Sequence, residues 1–440
     1  MEKIFLSFLG TTNYTPCNYY MEEDDSRKVS NVKYIQEALI KLCYDDFDQP
    51  EFFFFLTQEA KGRNWEDDGQ YNFETKKCDL PNEGLHTSLL KAGIPESSIR
   101  TVDIPEGFSN DDIWSIFTRI YDNIPQECEV ILDITHAFRS LPMLATVLMN
   151  YLEALKDVNV RAIYYGAFEK LGLGSEVKKM EPEERNAPII NLISLSHLQK
   201  WTAAARAFDK TGNTKDITTL IDKEITPLLQ ATKGRDKVAV LLRGLKMELE
   251  NLGKYIYTNR SKEILEADFA LKIRAYIQQL NKSVDVIPAL KPLLHVIQEK
   301  IEKFQPNAPN NWLAGVEWCL EHKLYQQAIT QLQEGMITHL CQQLKLNPFM
   351  KGNRDLCSDA YFIINNKQEE KDWKEKDSKK KIIINDILSH CFLKFTYKDY
   401  AALSERRNDI NHAGYRVKPS SPKKIIEQIN STYKNISSLL

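Results

Sequence analysis

The first two hundred residues alternate short apolar runs with amphipathic stretches, and this alternation constrains the fold more than any other feature of the chain. Runs rich in β-branched and aromatic residues occur at 4–10, 52–57, 101–105, 128–135 and 160–168. Between them, apolar residues recur at helical spacing at 32–44, 110–124 and 142–155. Apolar strands of this kind need cover on both faces, and strands that alternate with helices pair in parallel. The pattern predicts a Rossmann-like, doubly wound α/β domain with a mostly parallel sheet.

From about Ser196 onward the apolar spacing becomes helical and the β-rich runs almost vanish. Helices are predicted at 198–213, 238–256 and 269–280, and the stretch 311–344 is either two helices or one that breaks near His322. The Pro- and Asn-rich run QPNAPN (305–310) is typical of a boundary. The sequence therefore predicts an α/β domain followed by an all-α half. We divide it into a Rossmann-like domain (1–195), a helical connecting segment (196–305) and an α-helical bundle (306–440).

Charge and hydropathy exclude several classes of protein. The 58 Lys and Arg residues are balanced by 61 Asp and Glu residues, so a polybasic nucleic-acid coat is excluded. The amino terminus has only a short apolar run before Gly10, without a signal-peptide cleavage site. Apolar stretches fall short of the roughly 20 residues that cross a bilayer. We expect a soluble cytoplasmic protein without a membrane partner.

The eight cysteines are scattered without a CxxC pair, and the eight histidines form no HExxH motif. Cys128, Cys319 and Cys391 lie inside apolar stretches. We therefore predict buried, reduced thiols rather than disulfides, and neither a metal site nor a cofactor.

The stretch LDITHAFRSLP (132–142) carries polar chemistry directly behind a predicted strand. In an open α/β sheet, ligands dock at the carboxyl ends of strands where the strand order reverses, and the following helix amino terminus favours an anion. Arg139 is placed to clamp a phosphate, and hydrogen-bonding groups come from Thr135, His136 and Ser140.

The first predicted strand ends in a similar way, in LGTTNY (9–14). Gly10 allows the backbone to approach a ligand, and polar groups come from Thr11, Thr12 and Asn13. Because GxGxxG and GxxxxGK[ST] are both absent, an ordinary dinucleotide or a P-loop triphosphate is disfavoured. The alternative for both turns is a set of polar caps that only satisfy the backbone.

A second polar group, RNDINH (407–412), lies near the end of the chain. In one helix over 399–414, Asn408 and His412 share a face, while Arg407 and His412 point about 140° apart. Arg407 and His412 can contact one partner only if the arginine side chain bends around the helix or the helix loosens near Ala413 and Gly414.

A histidine, an arginine and an amide without a metal suit the cleavage of RNA through its own 2′-hydroxyl. Histidine titrates near neutrality and serves as base, while arginine keeps its charge and stabilises the phosphorane. The products are a 2′,3′-cyclic phosphate and a 5′-hydroxyl. Arg406 also satisfies the spacing, and a solvated helix end with no chemical role is the alternative.

LDITHAFRSLP together with RNDINH resembles the CARF–HEPN ribonucleases that accompany type III CRISPR systems. The resemblance also covers residues 188–213, similar to the segment by which those proteins leave the CARF sheet. The CARF pattern Asp-x-Thr-His-x-x-Arg is matched by Asp133, Thr135, His136 and Arg139. The HEPN pattern, an arginine and a polar residue followed by histidine, is matched by Arg407, Asn408 and His412.

The resemblance implies a homodimer. Two CARF domains form one pocket for a cyclic oligoadenylate, which we expect to be cyclic tetra-adenylate, with cyclic hexa-adenylate as the alternative. Two HEPN domains combine their Arg and His residues into one metal-independent site that cleaves single-stranded RNA, and ring binding activates it allosterically. Two other readings stay open: a CARF transcription regulator, which needs a basic recognition helix, and a ring nuclease that degrades the activator.

Overall fold

A computed structural model describes residues 2–43, 50–69, 71–72, 76–78, 81–136, 141–283 and 290–440. The chain divides into two compact units, Met1–Leu198 and Gln199–Leu440. The further division of the second unit at 305 stays a prediction. Across the described residues, no helix has the length and apolar character needed to cross a membrane.

The first unit is built on an eight-stranded sheet. The strands described in this unit are β1 Lys3–Phe8, β2 Cys17–Met21, β3 Asp24–Val32, β4 Glu51–Leu56, β5 Tyr71–Asn72, β6 Lys77–Cys78, β7 Ile99–Asp103, β8 Glu129–Asp133, β9 Asn159–Gly166 and β10 Asn186–Asn191. The sheet order is β3-β2-β10-β9-β8-β1-β4-β7, and β5 pairs with β6 in a separate ribbon. The five strands from β9 to β7 are parallel, whereas β10 runs antiparallel to β9.

Helices cover both faces of this sheet because the central strands are apolar on both sides. Their bounds are α1 Ile35–Cys43, α2 Gln58–Ala60, α3 Leu85–Lys91, α4 Asn110–Asn123, α5 Leu141–Lys156 and α6 Gly174–Val177. Two apolar clusters lie against the sheet, one around Phe5, Phe54 and Ile131 and the other around Leu6 and Phe55. The predicted doubly wound, mostly parallel sheet is therefore confirmed.

The chain order of the strands places a switch point between β1 and β8. From β1 the chain first forms β2 and β3 at one end of the sheet, then β4 and β7 on one side of β1, and then β8 and β9 on the other side of β1. In register, Ser7 of β1 lies opposite Asp133 of β8. The turns that follow these two strands therefore leave the same edge of the sheet side by side.

The second unit is helical throughout its described residues. The bounds are α7 Ile193–Thr211, α8 Lys215–Ala231, α9 Lys237–Tyr257, α10 Ser261–Glu266, α11 Asp268–Asn281, α12 Leu290–Ile301, α13 Asn311–Glu321, α14 Tyr325–Gln343, α15 Lys351–Asn366, α16 Ser378–Ser389, α17 Cys391–Asn411 and α18 Pro422–Leu439. Helix α14 is central, since it packs against α13, α15, α17 and α18. The stretch 311–344 is thus two helices, the first of which is capped at His322.

Two expectations require correction. Cys391 is exposed rather than buried, because it occupies the first position of α17 while Phe392 and Leu393 supply the buried side chains. The helix that carries RNDINH runs from Cys391 to Asn411 rather than over 399–414. The other cysteines that the structure characterises are buried and unbridged.

Candidate functional sites at the sheet edge and at the end of α17

Asp133 and Thr135 fix the turn after β8 to the neighbouring strands. Asp133 is fully buried and accepts hydrogen bonds from Ser7 Oγ (2.7 Å), Thr135 N (3.0 Å) and Thr135 Oγ1 (2.6 Å). Thr135 Oγ1 in turn accepts from the Gly166 N–H on β9 (2.8 Å). Burial raises the pKa of Asp133, and the hydrogen bonds from Thr135 and Ser7 oppose that rise. These two side chains hold the turn in place, and a direct ligand contact by either stays a prediction.

His136 follows them and lies against the turn after β1. Its ring packs edge-on against Tyr14, with 4.4 Å between the ring centroids. Burial lowers the pKa of His136 to about 3, so the imidazole is neutral at pH 7. The Nε2 atom is enclosed and has no hydrogen-bond partner among the described residues. Leaving an enclosed nitrogen unpaired is costly, and a hydrogen bond from a ligand to this atom stays a prediction.

Gly10 allows the two turns to approach this closely. A Cβ at this position would lie 2.8 Å from the Tyr14 hydroxyl and 3.3 Å from the Cβ of His136. Without a side chain, the Gly10 N–H donates to the Tyr14 hydroxyl at 2.9 Å. The close approach therefore requires glycine at position 10.

A third segment, which the sequence analysis did not single out, holds the turn after β1 through hydrogen bonds. Asn64 is fully buried, and its Nδ2 donates to the carbonyls of Gly10 and Thr12, each at 2.9 Å. Arg63 Nη1 donates to the Thr11 carbonyl at 3.1 Å. Both residues lie just behind β4, so three adjacent parallel strands contribute to this edge. The only sequence signal was the polar run GRN after the FFFFLT strand.

The polar residues of the first turn stay accessible. Thr12 is exposed, while Thr11 and Asn13 are half-buried. The structure thus places the turn that carries Gly10, Thr11, Thr12 and Asn13 against His136, and a ligand contact by these residues stays a prediction. Arg139 and Ser140 lie outside the described residues, so their proposed contact with a phosphate stays a prediction.

The end of α17 has a backbone geometry that explains where His412 lies. The N–H of Gly414 donates to the Asp409 carbonyl (3.0 Å) and that of Ala413 to the Ile410 carbonyl (2.9 Å). Ala413 and Gly414 both have positive φ, 53° and 76°. This pair of bonds is a Schellman motif, which ends the helix at Asn411 and makes His412 its capping residue. The helix therefore ends just before Ala413 and Gly414, where a loosening was one of the two ways for Arg407 and His412 to reach one partner; that they do so stays a prediction.

His412 and Asn408 are exposed at this helix end, whereas Arg407 is half-buried. Arg407 Nη1 lies 3.1 Å from Glu334 Oε1 on α14. The other oxygen of Glu334 is 2.7 Å from Arg354 Nη2 on α15. One carboxylate therefore joins two arginines from two helices. Sequence reasoning singled out neither Glu334, which lies inside a predicted helix, nor Arg354, which lies where no element was predicted.

Arg406, the alternative catalytic arginine, faces a different partner. Its guanidinium donates to Ser420 Oγ, and its Nε is enclosed without a partner among the described residues. The Ser420 N–H also donates to the buried Asp409, at 2.6 Å. Arg406 and Asp409 thus hold the loop that follows α17, which leaves Arg407 as the arginine that faces the α14 side.

Comparisons with known proteins agree with these two units. Residues 85–169 match the family described as the CARF domain of the CRISPR system endoribonuclease Csx1. Residues 197–310 match the second domain of CRISPR-associated protein MJ1674. CRISPR-associated protein MJ1674 from Methanocaldococcus jannaschii also aligns with this chain. The aligned region has 345 residues, covers 76% of this chain and is 24% identical.

That alignment covers 46% of the relative, so the chain spans less than half of the MJ1674 protein. Both family matches end at or before residue 310, and the helices from α13 onward are therefore interpreted from residue pattern and geometry. The CARF match contains β8, α5 and the turn that carries Asp133, Thr135 and His136. Together with the switch-point sheet, these matches show that the chain is similar to CARF-containing accessory proteins of type III CRISPR systems.

Proposed function

We propose that this protein is a ribonuclease of type III CRISPR antiviral defence that a cyclic oligoadenylate activates. It acts as a homodimer in the cytoplasm. The CARF sheet edge binds the ring, with cyclic tetra-adenylate preferred over cyclic hexa-adenylate. The helices from α13 onward form a HEPN domain that cleaves single-stranded RNA without a metal or another cofactor.

The observation that carries the ribonuclease proposal is the end of α17. His412 is exposed on a helix cap, Asn408 is exposed one turn before it, and Arg407 lies in the same turn. In the proposed mechanism His412 removes the proton from a 2′-hydroxyl, whose oxygen attacks the adjacent phosphorus. Arg407 stabilises the charge on the phosphorane, and Asn408 hydrogen-bonds a phosphate oxygen. The bond from phosphorus to the 5′-oxygen then breaks, and this oxygen takes up the proton held by His412, which leaves a 2′,3′-cyclic phosphate and a 5′-hydroxyl.

The enclosed surroundings of His136 support ring binding at the sheet edge. A neutral imidazole with an unpaired nitrogen suits a hydrogen bond to an adenine edge or a ribose hydroxyl. Gly10 permits close approach, and the backbone of the first turn is fixed by Asn64 and Arg63. A ring with two-fold symmetry fits between two copies of this edge.

An apolar stripe on α5 supports dimer formation. Met143, Val147, Tyr151 and Leu155 recur every four residues, and all four side chains are exposed. Residues four apart share one face of a helix, so the stripe is continuous over about three turns. A second copy that covers this stripe in a two-fold dimer removes it from water.

The proposal is tested with fluorescent single-stranded RNA in EDTA, with rings of three, four, five or six adenylates. Cleavage that depends on the four-membered ring is expected, and mass spectrometry of the fragments should show 2′,3′-cyclic phosphate ends. The proposal fails if no ring size activates cleavage. Tight duplex-DNA binding without RNA cleavage would then indicate a transcription regulator, and loss of the ring alone would indicate a ring nuclease.

A further inference from the structure

A cavity of about 480 Å³ lies in the second unit, beside the end of α17. It is lined from the α9–α10 connection, from α14, and from the start of α15 with the loop before it. The side chains that matter below are Asn259, Arg260, Lys262, Glu334, Phe349 and Arg354. Its volume falls within the range of roughly 300–1,000 Å³ that is usual for small-molecule sites. We call it the basic pocket.

The basic pocket combines an exposed aromatic ring with positive charge. The Phe349 side chain is 51% exposed, and Lys262 Nζ lies 5.5 Å from its ring centroid. Arg260 is exposed at the α9–α10 connection. An exposed ring flanked by cations is the arrangement on which single-stranded nucleic acids stack their bases and place their phosphates.

The pocket also offers an unpaired hydrogen-bond acceptor. Asn259 Oδ1 is enclosed and has no partner among the described residues. Asn259 adopts a left-handed backbone conformation, with φ of 53°, which orients the connection at the pocket wall. An amide oxygen in this position can accept from the exocyclic amine of a base.

One side chain links the basic pocket to the proposed catalytic arginine. Glu334 lines the pocket, where its Oε2 pairs with Arg354, while its Oε1 pairs with Arg407. The two arginines neutralise this carboxylate, so it does not repel a phosphate from the pocket. Only the Glu334 side chain therefore separates a nucleic-acid strand in the basic pocket from Arg407.

We propose that the basic pocket binds a nucleotide of the single-stranded RNA substrate next to the scissile phosphate. The base stacks on Phe349 and its edge meets Asn259, while Arg260 and Lys262 contact the flanking phosphates. This inference rests on the proposed ribonuclease function and gives residues 259–262 a role in it. The cavity, the exposed ring and the cations Arg260 and Lys262, the second of which is 3.8 Å from Glu266, favour a nucleic-acid strand over a protein segment.

The test measures binding of RNA whose 2′-hydroxyls are methylated, because such RNA lacks the nucleophile and stays intact. Fluorescence anisotropy with the full chain and cyclic tetra-adenylate gives the Kd at several salt concentrations. Phe349→Ala should weaken binding about tenfold, which is the loss expected for one stacked base. Arg260→Ala should reduce the slope of log K against log salt by about 0.7, the value for one phosphate of a single strand.

The chain offers matched controls for both changes. Phe362 is 49% exposed and also has a lysine, Lys374, 5.5 Å from its ring centroid, but it lies outside the basic pocket. Phe362→Ala should leave the Kd unchanged. Arg243 is exposed on α9, also outside the pocket, and Arg243→Ala should leave the salt slope unchanged.

Three results would each overturn the inference. The first is an equal effect of Phe349→Ala and Phe362→Ala on the Kd, the second is an unchanged salt slope for Arg260→Ala, and the third is no RNA binding by the parent protein. The failure of the inference is separable from that of the ribonuclease proposal. If the parent protein cleaves RNA and Phe349→Ala leaves the Kd for RNA unchanged, the ribonuclease proposal holds and the proposed role of the basic pocket is wrong. If the parent protein binds RNA without cleaving it and Phe349→Ala weakens that binding, the basic pocket binds RNA and the ribonuclease proposal is wrong.

Discussion

The sheet edge and the end of α17 are both polar turns that follow regular elements, yet they are built in opposite ways. At the sheet edge, Asp133 and Asn64 are fully buried, and the hydrogen bonds to the turns come from neighbouring strands and loops of the same chain. At the end of α17, His412 is exposed and Arg407 is paired with Glu334 instead of with a catalytic partner. A preorganised edge suits tight recognition of a ligand. An exposed histidine without a closed cavity around it suits a site that a second copy completes.

The largest effect that would sharpen this contrast is on catalysis. His412→Ala and Arg407→Ala should each lower the rate of RNA cleavage at least 100-fold, because they remove the base and the charge stabiliser. Cyclic tetra-adenylate binding should stay unchanged, since neither residue belongs to the sheet edge. Rates are measured with fluorescent RNA and ring affinity by calorimetry. His295→Ala, which changes an exposed histidine of α12, is the control, and full cleavage by His412→Ala would refute the residue assignment.

A second change tests whether the sheet edge is held by its buried network. Thr135→Val removes the hydroxyl that donates to Asp133 and accepts from the Gly166 N–H. Asp133 then keeps only the Ser7 hydroxyl and the Thr135 N–H, and the Gly166 N–H loses this acceptor. We expect the free energy of unfolding of the first unit to fall by about 2 kcal/mol, the cost of leaving buried polar groups unpaired. Ring affinity should fall as well. Calorimetric unfolding measures the first effect, with Thr101→Val on the exposed face of β7 as control; equal behaviour of the two variants would show that the network is dispensable.

A pH experiment probes the core between α14 and the start of α17, where the ring of His339 packs against Phe392. Burial, aided by His390, lowers the pKa of His339 to about 4 from its usual 6.5. The folded state therefore favours the neutral imidazole, and this stability is present above pH 6.5 and is lost as the pH falls toward 4. Between pH 7 and pH 5 the loss should be about 1–2 kcal/mol.

His339→Gln removes the titrating group. The free energy of unfolding at pH 7 and at pH 5 should then differ by about 1–2 kcal/mol less than in the parent protein. Urea unfolding at the two pH values measures it. His295→Gln, on the exposed side of α12, should keep the full difference. A pH dependence that is identical in all three proteins would contradict the burial of a neutral His339.

The smallest expected effect concerns the carboxylate between the two arginines. Glu334→Gln leaves Arg354 and Arg407 side by side without a counter-charge. Because all three side chains are partly exposed, water screens the change, and the loss of stability should be about 1 kcal/mol. Thermal unfolding measures it against Glu427→Gln, whose ion pair with Lys423 is exposed. A more stable variant would indicate that the triad is strained.

The sequence predicted the features that depend on local pattern. Apolar runs such as FFFFLT marked the central strands, and helical spacing marked α4, α5 and α9 within one or two residues. Strand ends that carry THAFRS and GTTNY predicted the switch-point edge, because parallel strands end on one side of a sheet. The strands β2, β3 and β10 escaped detection. β3 is a charged, largely exposed edge strand, so it lacks the alternation that marks a half-buried strand.

Contacts between distant segments were beyond the reach of sequence reasoning. Asn64 reaches the carbonyls of Gly10 and Thr12 across more than fifty positions, and Glu334 meets Arg407 across 73. Neither pairing has a local signature, since each partner lies in an ordinary strand-end or helical context. A loosening near Ala413 and Gly414 was left open as one of two alternatives, but the helix end at Asn411 and the Schellman motif that places His412 at the cap depend on backbone geometry.

The central claim is that Arg407 of one copy acts beside His412 of the other, and mixing two inactive variants tests it directly. Arg407→Ala and His412→Ala proteins are each assayed alone, then unfolded, mixed and refolded together, with native mass spectrometry to count the mixed dimers. In a mixed dimer, the intact arginine of one chain meets the intact histidine of its partner, so RNA cleavage should return in proportion to the mixed dimers. Mixed dimers that form in quantity and stay as inactive as either variant alone would contradict the account.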